Sequence, residues 1–326
     1  MRDEAGHLKL YGKPPLPDGL FKVHALFLQA RKLVTAAGLA NLSGLEVLGE
    51  LLLYDNPHLG DAALPHLKDL KSLRSLHLGN TGVTDAGLVH LKDLTELADL
   101  RFAGAPITDQ GLAQLAHLTK LKALLITESR ITDNGLAHLK EMKQLKQLWV
   151  DDSTITGAGL AQLQGLDITQ LSLSRTKITD DGLAHLKGMR SLTELFLGDL
   201  SVTGAGFVHL HGLPITTLHL GRSAVNDAGL KNLAGLKKLE SISFWNTKSI
   251  TDAGLAALKD VSTLKTVGLD ATPITDAALP HLKALTGLTL LNVQNTKMTA
   301  GGVAELAKAL PKCKVAWDGG TIEPMK

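Results

Sequence analysis

One internal period governs what this chain can fold into. The segment Val83-Thr-Asp-Ala-Gly-Leu-Val-His-Leu-Lys-Asp-Leu94, with its continuation Leu97-Ala-Asp-Leu-Arg-Phe102, returns about every 24 residues from Val34 to near the C-terminus. Twelve copies start at Val34, Leu59, Val83, Ile107, Ile131, Ile155, Ile178, Val202, Val225, Ile250, Ile274 and Met298, at intervals of 23 to 25 residues. The eighth residue after each start is Leu in all twelve, the fourth is Gly in ten, and the first is Thr in ten. A length of 326 residues alone suggests two domains. A stack of repeats is one body of any length, so the period predicts a single array over residues 23–317 without a domain boundary. Residues 1–22 are left as an N-terminal arm or cap and 318–326 as a polar tail.

Each half of the unit has its own spacing. Leu88, Leu91 and Leu94 recur at helical distance, Thr84 stands where an N-cap belongs, and Asp85 in the first turn suits the helix dipole. Leu100 and Phe102 alternate, which reads as a short strand. The recurring helix Gly costs roughly 1 kcal/mol relative to Ala, so the helix is expected to approach a neighbour closely there. Burial of several Leu per unit, at roughly 1.5–3 kcal/mol each, offsets the loss. After most strands comes a hydroxyl: Thr81, Ser129, Ser153, Thr176, Ser223, Thr247, Thr272 and Thr296. Such side chains can bond the backbone of a tight turn and are expected to form a ladder tying units together. Val315 and Trp317 are expected to form the last strand.

With 44% hydrophobic residues but only 3% aromatic, the core must be built from Leu, Ile, Val and Ala. The 34 basic and 32 acidic residues nearly balance, with no long run of one sign, which argues against nucleic acid or a membrane surface as partner. A single cysteine, Cys313, cannot form an intramolecular disulfide and favours a reducing compartment. Residues 1–7 show no apolar signal region, and no run approaches a membrane span. The expectation is a soluble, cytoplasmic monomer.

The pattern L-x-x-L-x-L-x-x-T-x-I-T-D-A-G-L-x-x-L-x-x-L resembles a leucine-rich repeat protein over about residues 23–317. It looks like the bacterial, planctomycete-like kind and is similar to the cysteine-containing and GALA types. The segment Leu310 to Gly320 looks like the end of such arrays, some of which are fused to protein kinases, although no kinase motif is present. The resemblance implies an α/β, right-handed solenoid (horseshoe) with a parallel concave sheet and convex helices, in about 12 repeats of ~24 residues. It also implies protein binding as the default role.

If the framework leucines point inward, the strand residues between them point to the concave side, and strands roughly 4.8 Å apart align them in columns. One column reads Phe27, Leu52, His77, Arg101, Leu125, Trp149, Ser172, Phe196, His219, Ser243, Gly268, Asn292. The next reads Tyr54, Gly79, Ala103, Thr127, Asp151, Ser174, Gly198, Gly221, Trp245, Asp270, Gln294. These positions vary while the framework does not, so packing is not expected to dictate them. Exposed aromatics flanked by charges are common interface anchors. The candidate partner-binding residues are Arg101, Leu125, Trp149, Asp151, Asp152, Gln170, Arg175, Glu194, Phe196, His219, Arg222 and Trp245, centred between Trp149 and Trp245. Gln147, Asp199 and Thr217 lie nearby, and Asp99 is a further position that the repeat leaves unspecified. The Phe27, Leu52 and Tyr54 cluster is expected under the N-terminal arm.

No catalytic, cofactor or metal site is implied. His66, His90, His138, His185, His209 and His281 share one helical slot, but zinc needs three or four convergent ligands and adjacent helices lie roughly 8–10 Å apart. These histidines are expected as half-buried framework residues. Ser172 and His219, two strands and roughly 10 Å apart, cannot act as nucleophile and base, which must approach ~3 Å. Asp151 and Asp152 leave the strand in different directions and could hold a cation or a partner's lysine, although a solvated turn is the plainer account. No P-loop or dinucleotide fingerprint appears in context. The expected role is a non-catalytic scaffold binding a protein or peptide on its concave face. The alternatives are an enzyme-linked module, such as the leucine-rich part of a larger signalling or ubiquitin-adaptor-like protein, or a carbohydrate- or ligand-binding solenoid.

Overall fold

The computed structural model describes residues 22–30 and 34–324. Most of the N-terminal arm, with its expected cover over Phe27, Leu52 and Tyr54, lies outside the described residues, as do the last two residues of the tail. The chain groups into two compact units, residues 1–147 and 148–326, where the period predicts one array. Repeats touch only their neighbours in a solenoid, so a long array has no contacts between distant repeats to gather it into one cluster.

In the first unit β1 (Ala25–Phe27), β2 (Glu50–Leu52), β3 (Ser75–His77), β4 (Asp99–Arg101) and β5 (Ala123–Leu125) pair in chain order, all parallel. Next in sequence comes β6 (Gln147–Trp149), at the boundary between the units. In the second unit β7 (Gln170–Ser172), β8 (Glu194–Phe196), β9 (Thr217–His219), β10 (Ser241–Ser243), β11 (Thr266–Gly268), β12 (Leu290–Asn292) and β13 (Lys314–Trp317) do the same. Register is strict: Leu51 pairs Leu76, and Leu195 pairs Leu218. Central strand residues such as Leu76, Leu100, Leu171 and Leu218 are buried, so the flanking residues of each strand stack into columns on the opposite face. One strand lies outside the expected plan. Residues assigned to the tail form β14 (Gly320–Ile322), antiparallel to β13 with Val315 opposite Ile322. It covers what would otherwise be an open sheet edge.

The helical side is made of single α-turns and 3-10 segments, such as Asp85–Leu88 followed by Val89–Leu91. Thr84 caps its turn as expected, accepting from the Ala86 N–H at 3.3 Å. Its neighbour Asp does more than offset a dipole. The Asp61 carboxylate accepts from the Thr84 N–H and hydroxyl, both at 2.7 Å. Asp85 and Asp109 hold Thr108 and Thr132 in the same way. In the second unit Asp180, Asp227, Asp252 and Asp276 hold Thr203, Thr251, Thr275 and Thr299. The ladder between repeats is therefore this Asp–Thr clamp. The post-strand hydroxyls close their own turns instead: Thr81 donates to Leu78 O at 2.6 Å, Ser153 to Val150 O at 2.7 Å, and Ser223 to Leu220 O at 2.7 Å. Thr247 alone of the eight donates to a carbonyl of another repeat, Leu220 O at 3.0 Å.

The clamp also explains the helix glycine. A Cβ on Gly87 would lie 2.5 Å from Asp61 Oδ1, and on Gly254 2.0 Å from Asp227 Oδ1. Ala63, an exception to the glycine rule, follows a repeat that has Ala36 where most have Asp. The 23-residue repeats starting at Ile155 and Val202 place Gly157 and Gly204 there, and these meet Gly182 and Gly229 backbone to backbone.

Candidate interaction surface

Each strand from β1 to β12 leads, three residues past its end, into a left-handed residue. Asp55, Asn80 and Glu128 in the first unit, and Asp152, Arg175, Asp199, Arg222, Asn246 and Asn295 in the second, have φ of 51–59°. Non-glycine residues rarely adopt this conformation. Here the N–H of the turn bonds the next repeat, as Arg175 N to Gly198 O at 3.0 Å and Arg222 N to Trp245 O at 2.7 Å. The turn sends the left-handed side chain out beside the sheet and adds a third outward column to the two expected from strand alternation. In that column Arg175 pairs Asp152 at 2.9 Å, and Arg222 pairs Asp199 at 2.8 Å.

On the sheet face of the second unit the aromatics converge. Trp149 and Phe196, one strand either side of Ser172, meet at 5.6 Å between ring centroids, tilted by 49°. Phe196 and His219 stack at 4.2 Å, within 5° of parallel. His219 Nε2 lies 3.3 Å from Glu194 Oε1, and Gln170 donates to Glu194 Oε2 at 2.8 Å. Ser172, expected on the exposed face, is only 2% exposed, because rings that meet from both sides leave it no path to solvent. Its hydroxyl donates to Asp151 Oδ1 at 2.5 Å, and the Ser174 N–H reaches the same oxygen at 2.8 Å. Burial outweighs these bonds and the nearby Arg175 charge, and it raises the Asp151 carboxyl above its usual range. Asp152 turns away to Arg175, so the two adjacent aspartates do part. The Ser172 hydroxyl faces a carboxylate and His219 faces Glu194, so the arrangement contains no nucleophile–base pair.

Trp245 is 46% exposed, with the Arg222 guanidinium 5.9 Å from its ring centre. It leans on Gly221, where a Cβ would stand 3.2 Å from the indole Cε3. Arg101 and Leu125 fall in the first unit. Arg101 is held by two bonds to Asp99, at 2.9 and 2.8 Å, and His77 Nε2 lies 3.5 Å from the same carboxylate. Gly79, placed in an exposed column by alternation, is buried against Ala103. The six column histidines are half-buried. Among the described residues no group of three or more His, Cys, Asp or Glu could hold a metal ion, and no helix is long and apolar enough to cross a membrane.

Buried framework leucines, parallel strands in register and a helical turn in each repeat define an α/β leucine-rich repeat solenoid. The comparisons agree. Residues 69–92 match a family model described as Leucine Rich repeat. The structure is similar to an internalin (InlF) of Listeria monocytogenes, at 22% identity and a TM-score of 0.63, covering 91% of this chain and 86% of that one. It is also similar to a leucine-rich repeat protein of Leptospira interrogans, at 16% identity and a TM-score of 0.51, covering 90% and 95%. At these identities the likeness is one of fold. No curated protein matches the sequence. By repeat and by architecture the fold is that of a leucine-rich repeat solenoid.

Proposed function

We propose that this protein is a non-catalytic recognition scaffold that binds a protein or peptide on the outward sheet face of its second unit. The observation that carries the reading is the Trp149–Phe196–His219 stack. Three rings lie on the sheet face away from the core, on positions where other repeats carry Ser, Gly or Asn, so the fold does not require them. Aromatic side chains with flanking Arg and acidic residues are the usual high-energy anchors of an interface. Asp151, Asp152, Gln170, Arg175, Glu194, Arg222 and Trp245 complete the surface. Arg101 and Leu125 offer a separate, smaller contact on the first unit. The raised carboxyl of Asp151 lies on this open face rather than in a closed pocket, which favours binding over chemistry.

The repeat is of the bacterial, GALA-like kind that its residues resemble, and both solved neighbours are bacterial. A lone, buried cysteine favours a reducing, cytoplasmic setting, and the protein acts as a monomer. A pull-down from lysate, comparing the parent with a Trp149→Ala/Phe196→Ala double variant, tests the site. Partners retained by the parent should be lost by the variant, and identical partner sets would sink the proposal.

A further inference from the structure

The outward face of the second unit carries charge of one prevailing sign. From Trp149 to Asn295, its strand columns and left-handed column hold five carboxylates, Asp151, Asp152, Glu194, Asp199 and Asp270. Against them stand two guanidiniums, Arg175 and Arg222, and no lysine. The whole chain has 34 basic against 32 acidic residues, so the excess of acid belongs to this face.

Three of the five carboxylates are matched. Asp152 has Arg175, Asp199 has Arg222, and Glu194 has His219 with Gln170. Asp151 and Asp270 form no ion pair among the described residues. Burial holds both carboxyls above their ordinary values; at Asp151 it outweighs the charge of nearby Arg175, which is already paired with Asp152, and at Asp270 it is opposed only by a backbone hydrogen bond.

Each of these two acids also stands beside an indole. Asp151 follows Trp149 by two residues on the same face. Asp270 occupies the column of Trp245, one strand further on. An indole face attracts a cation within ~6 Å of its centre, and Trp245 already holds Arg222 at 5.9 Å. A carboxylate and an indole side by side make a seat for a lysine or arginine, and the unit has two such seats.

We propose that the partner is an extended cationic peptide with two basic side chains, one against Asp151 and Trp149 and the other against Asp270 and Trp245. This rests on the reading that the second unit's sheet face binds a peptide. The spacing follows from strand geometry. The seats are four to five strands apart, and at ~4.8 Å per strand that is roughly 19–24 Å, or about six to seven residues of extended chain at ~3.3 Å each.

Fluorescence anisotropy with the full chain tests the inference. The probes are labelled peptides of about twelve residues with two arginines separated by six Ser/Gly residues. Matched probes carry glutamates or glutamines in place of the arginines, or a two-residue spacer. The six-spaced arginine peptide should bind more weakly as salt rises. It should lose roughly tenfold in affinity or more in Asp151→Asn and again in Asp270→Asn, with both variants melting like the parent. The glutamine and short-spacer probes should be weaker on the parent, and the glutamate probe should not bind. Binding of the glutamate or glutamine probe as tight as that of the arginine probe overturns the inference. If that binding is still lost in Trp149→Ala/Phe196→Ala, the recognition reading survives. Arginine binding indifferent to both Asp→Asn changes, or no binding by any probe at millimolar concentration, overturns it as well, while the pull-down still decides the broader reading.

Discussion

Asp227 and Thr251 are joined by two hydrogen bonds across one repeat boundary, Oδ1 accepting from the backbone N–H at 2.8 Å and Oδ2 from the hydroxyl at 2.6 Å. The carboxylate sits where a Cβ on Gly254 would have to go, 2.0 Å from Oδ1. Three residues that look independent in the repeat are thus one device: Thr opens a turn, Asp grips the next Thr, and Gly makes room for Asp.

The device predicts coupling. Asp227→Ala should cost about 1–2 kcal/mol, the value of hydrogen bonds to a charged acceptor reduced by partial exposure. Gly254→Ala, favoured by propensity alone, should destabilise, by about 1 kcal/mol rather than prohibitively. Ala278 is tolerated opposite Asp252, which keeps both bonds to Thr275. In the double variant the alanine at 254 meets no carboxylate and should become neutral or stabilising. Thermal melts of the four proteins measure the coupling energy, and simple additivity would refute the device.

The same reasoning gives Gly38 the opposite sign. Among the described residues its Cβ would meet only the Thr35 hydroxyl oxygen, at 3.3 Å, within reach of a small adjustment. Gly38→Ala should stabilise by up to about 1 kcal/mol through the backbone entropy removed from the unfolded chain. A raised melting temperature is the expected readout.

The outline of this fold was legible because it is written twelve times. Framework positions such as Leu91 and Leu115 recur at fixed distance, and the buried set follows from them. The Asp–Thr clamp was not legible, since a residue after an N-cap reads equally well as a dipole partner, and only the stacking distance brings Asp61 to Thr84. The left-handed column escaped for a similar reason. Asp152, Arg175, Asp199 and Arg222 share no residue type, and the ladder that imposes φ near 55° is a backbone property. Trp149, Phe196 and Trp245 could be picked out because alternation places them outward. Ser172 was misplaced because its burial depends on rings contributed by neighbouring strands.

Acid should weaken the first unit through Asp99. Burial raises its carboxyl, but bonds from His77 and Arg101 outweigh that and bring it down from 3.8 to about 2. A folded value below the unfolded one means the contribution is complete above about pH 4 and is lost as pH falls toward 2. Discounted for partial exposure, the network contributes about 1 kcal/mol. Arg101→Gln should remove part of the difference and leave the His77 bond, so that stability between pH 4 and 2 falls less steeply in the variant than in the parent. Parallel slopes by denaturant titration would contradict this.

Cys313 should be a reporter of unfolding. It is 2% exposed, and burial pushes its thiol up to about 11. Thiolate is the reactive form, so a maleimide at pH 8 should label the native protein slowly. The labelling rate should rise by a factor of about 100 or more in denaturant. Fast native labelling would show that the last repeats open readily.

The 23-residue repeats invite a misleading repair. Gly157 and Gly204 stand where most repeats have the clamping Asp, and restoring a repeat's common residue is a standard route to stability. Here the backbone has moved into the space. A Cβ on Gly157 would lie 2.4 Å from the Gly182 Cα, and one on Gly204 2.8 Å from the Gly229 Cα, with Gly204 also at φ 95°. A side-chain oxygen can swing aside, but a neighbouring main chain cannot without shifting its whole turn. Gly157→Asp should therefore destabilise by about 1–3 kcal/mol, the usual cost of overpacking, although it brings the repeat closer to its neighbours in sequence. Gly204→Asp should cost more, because it adds backbone strain to the same clash. Melting temperatures that rise in either variant would mean that the shortened repeats can relax apart and recover the clamp.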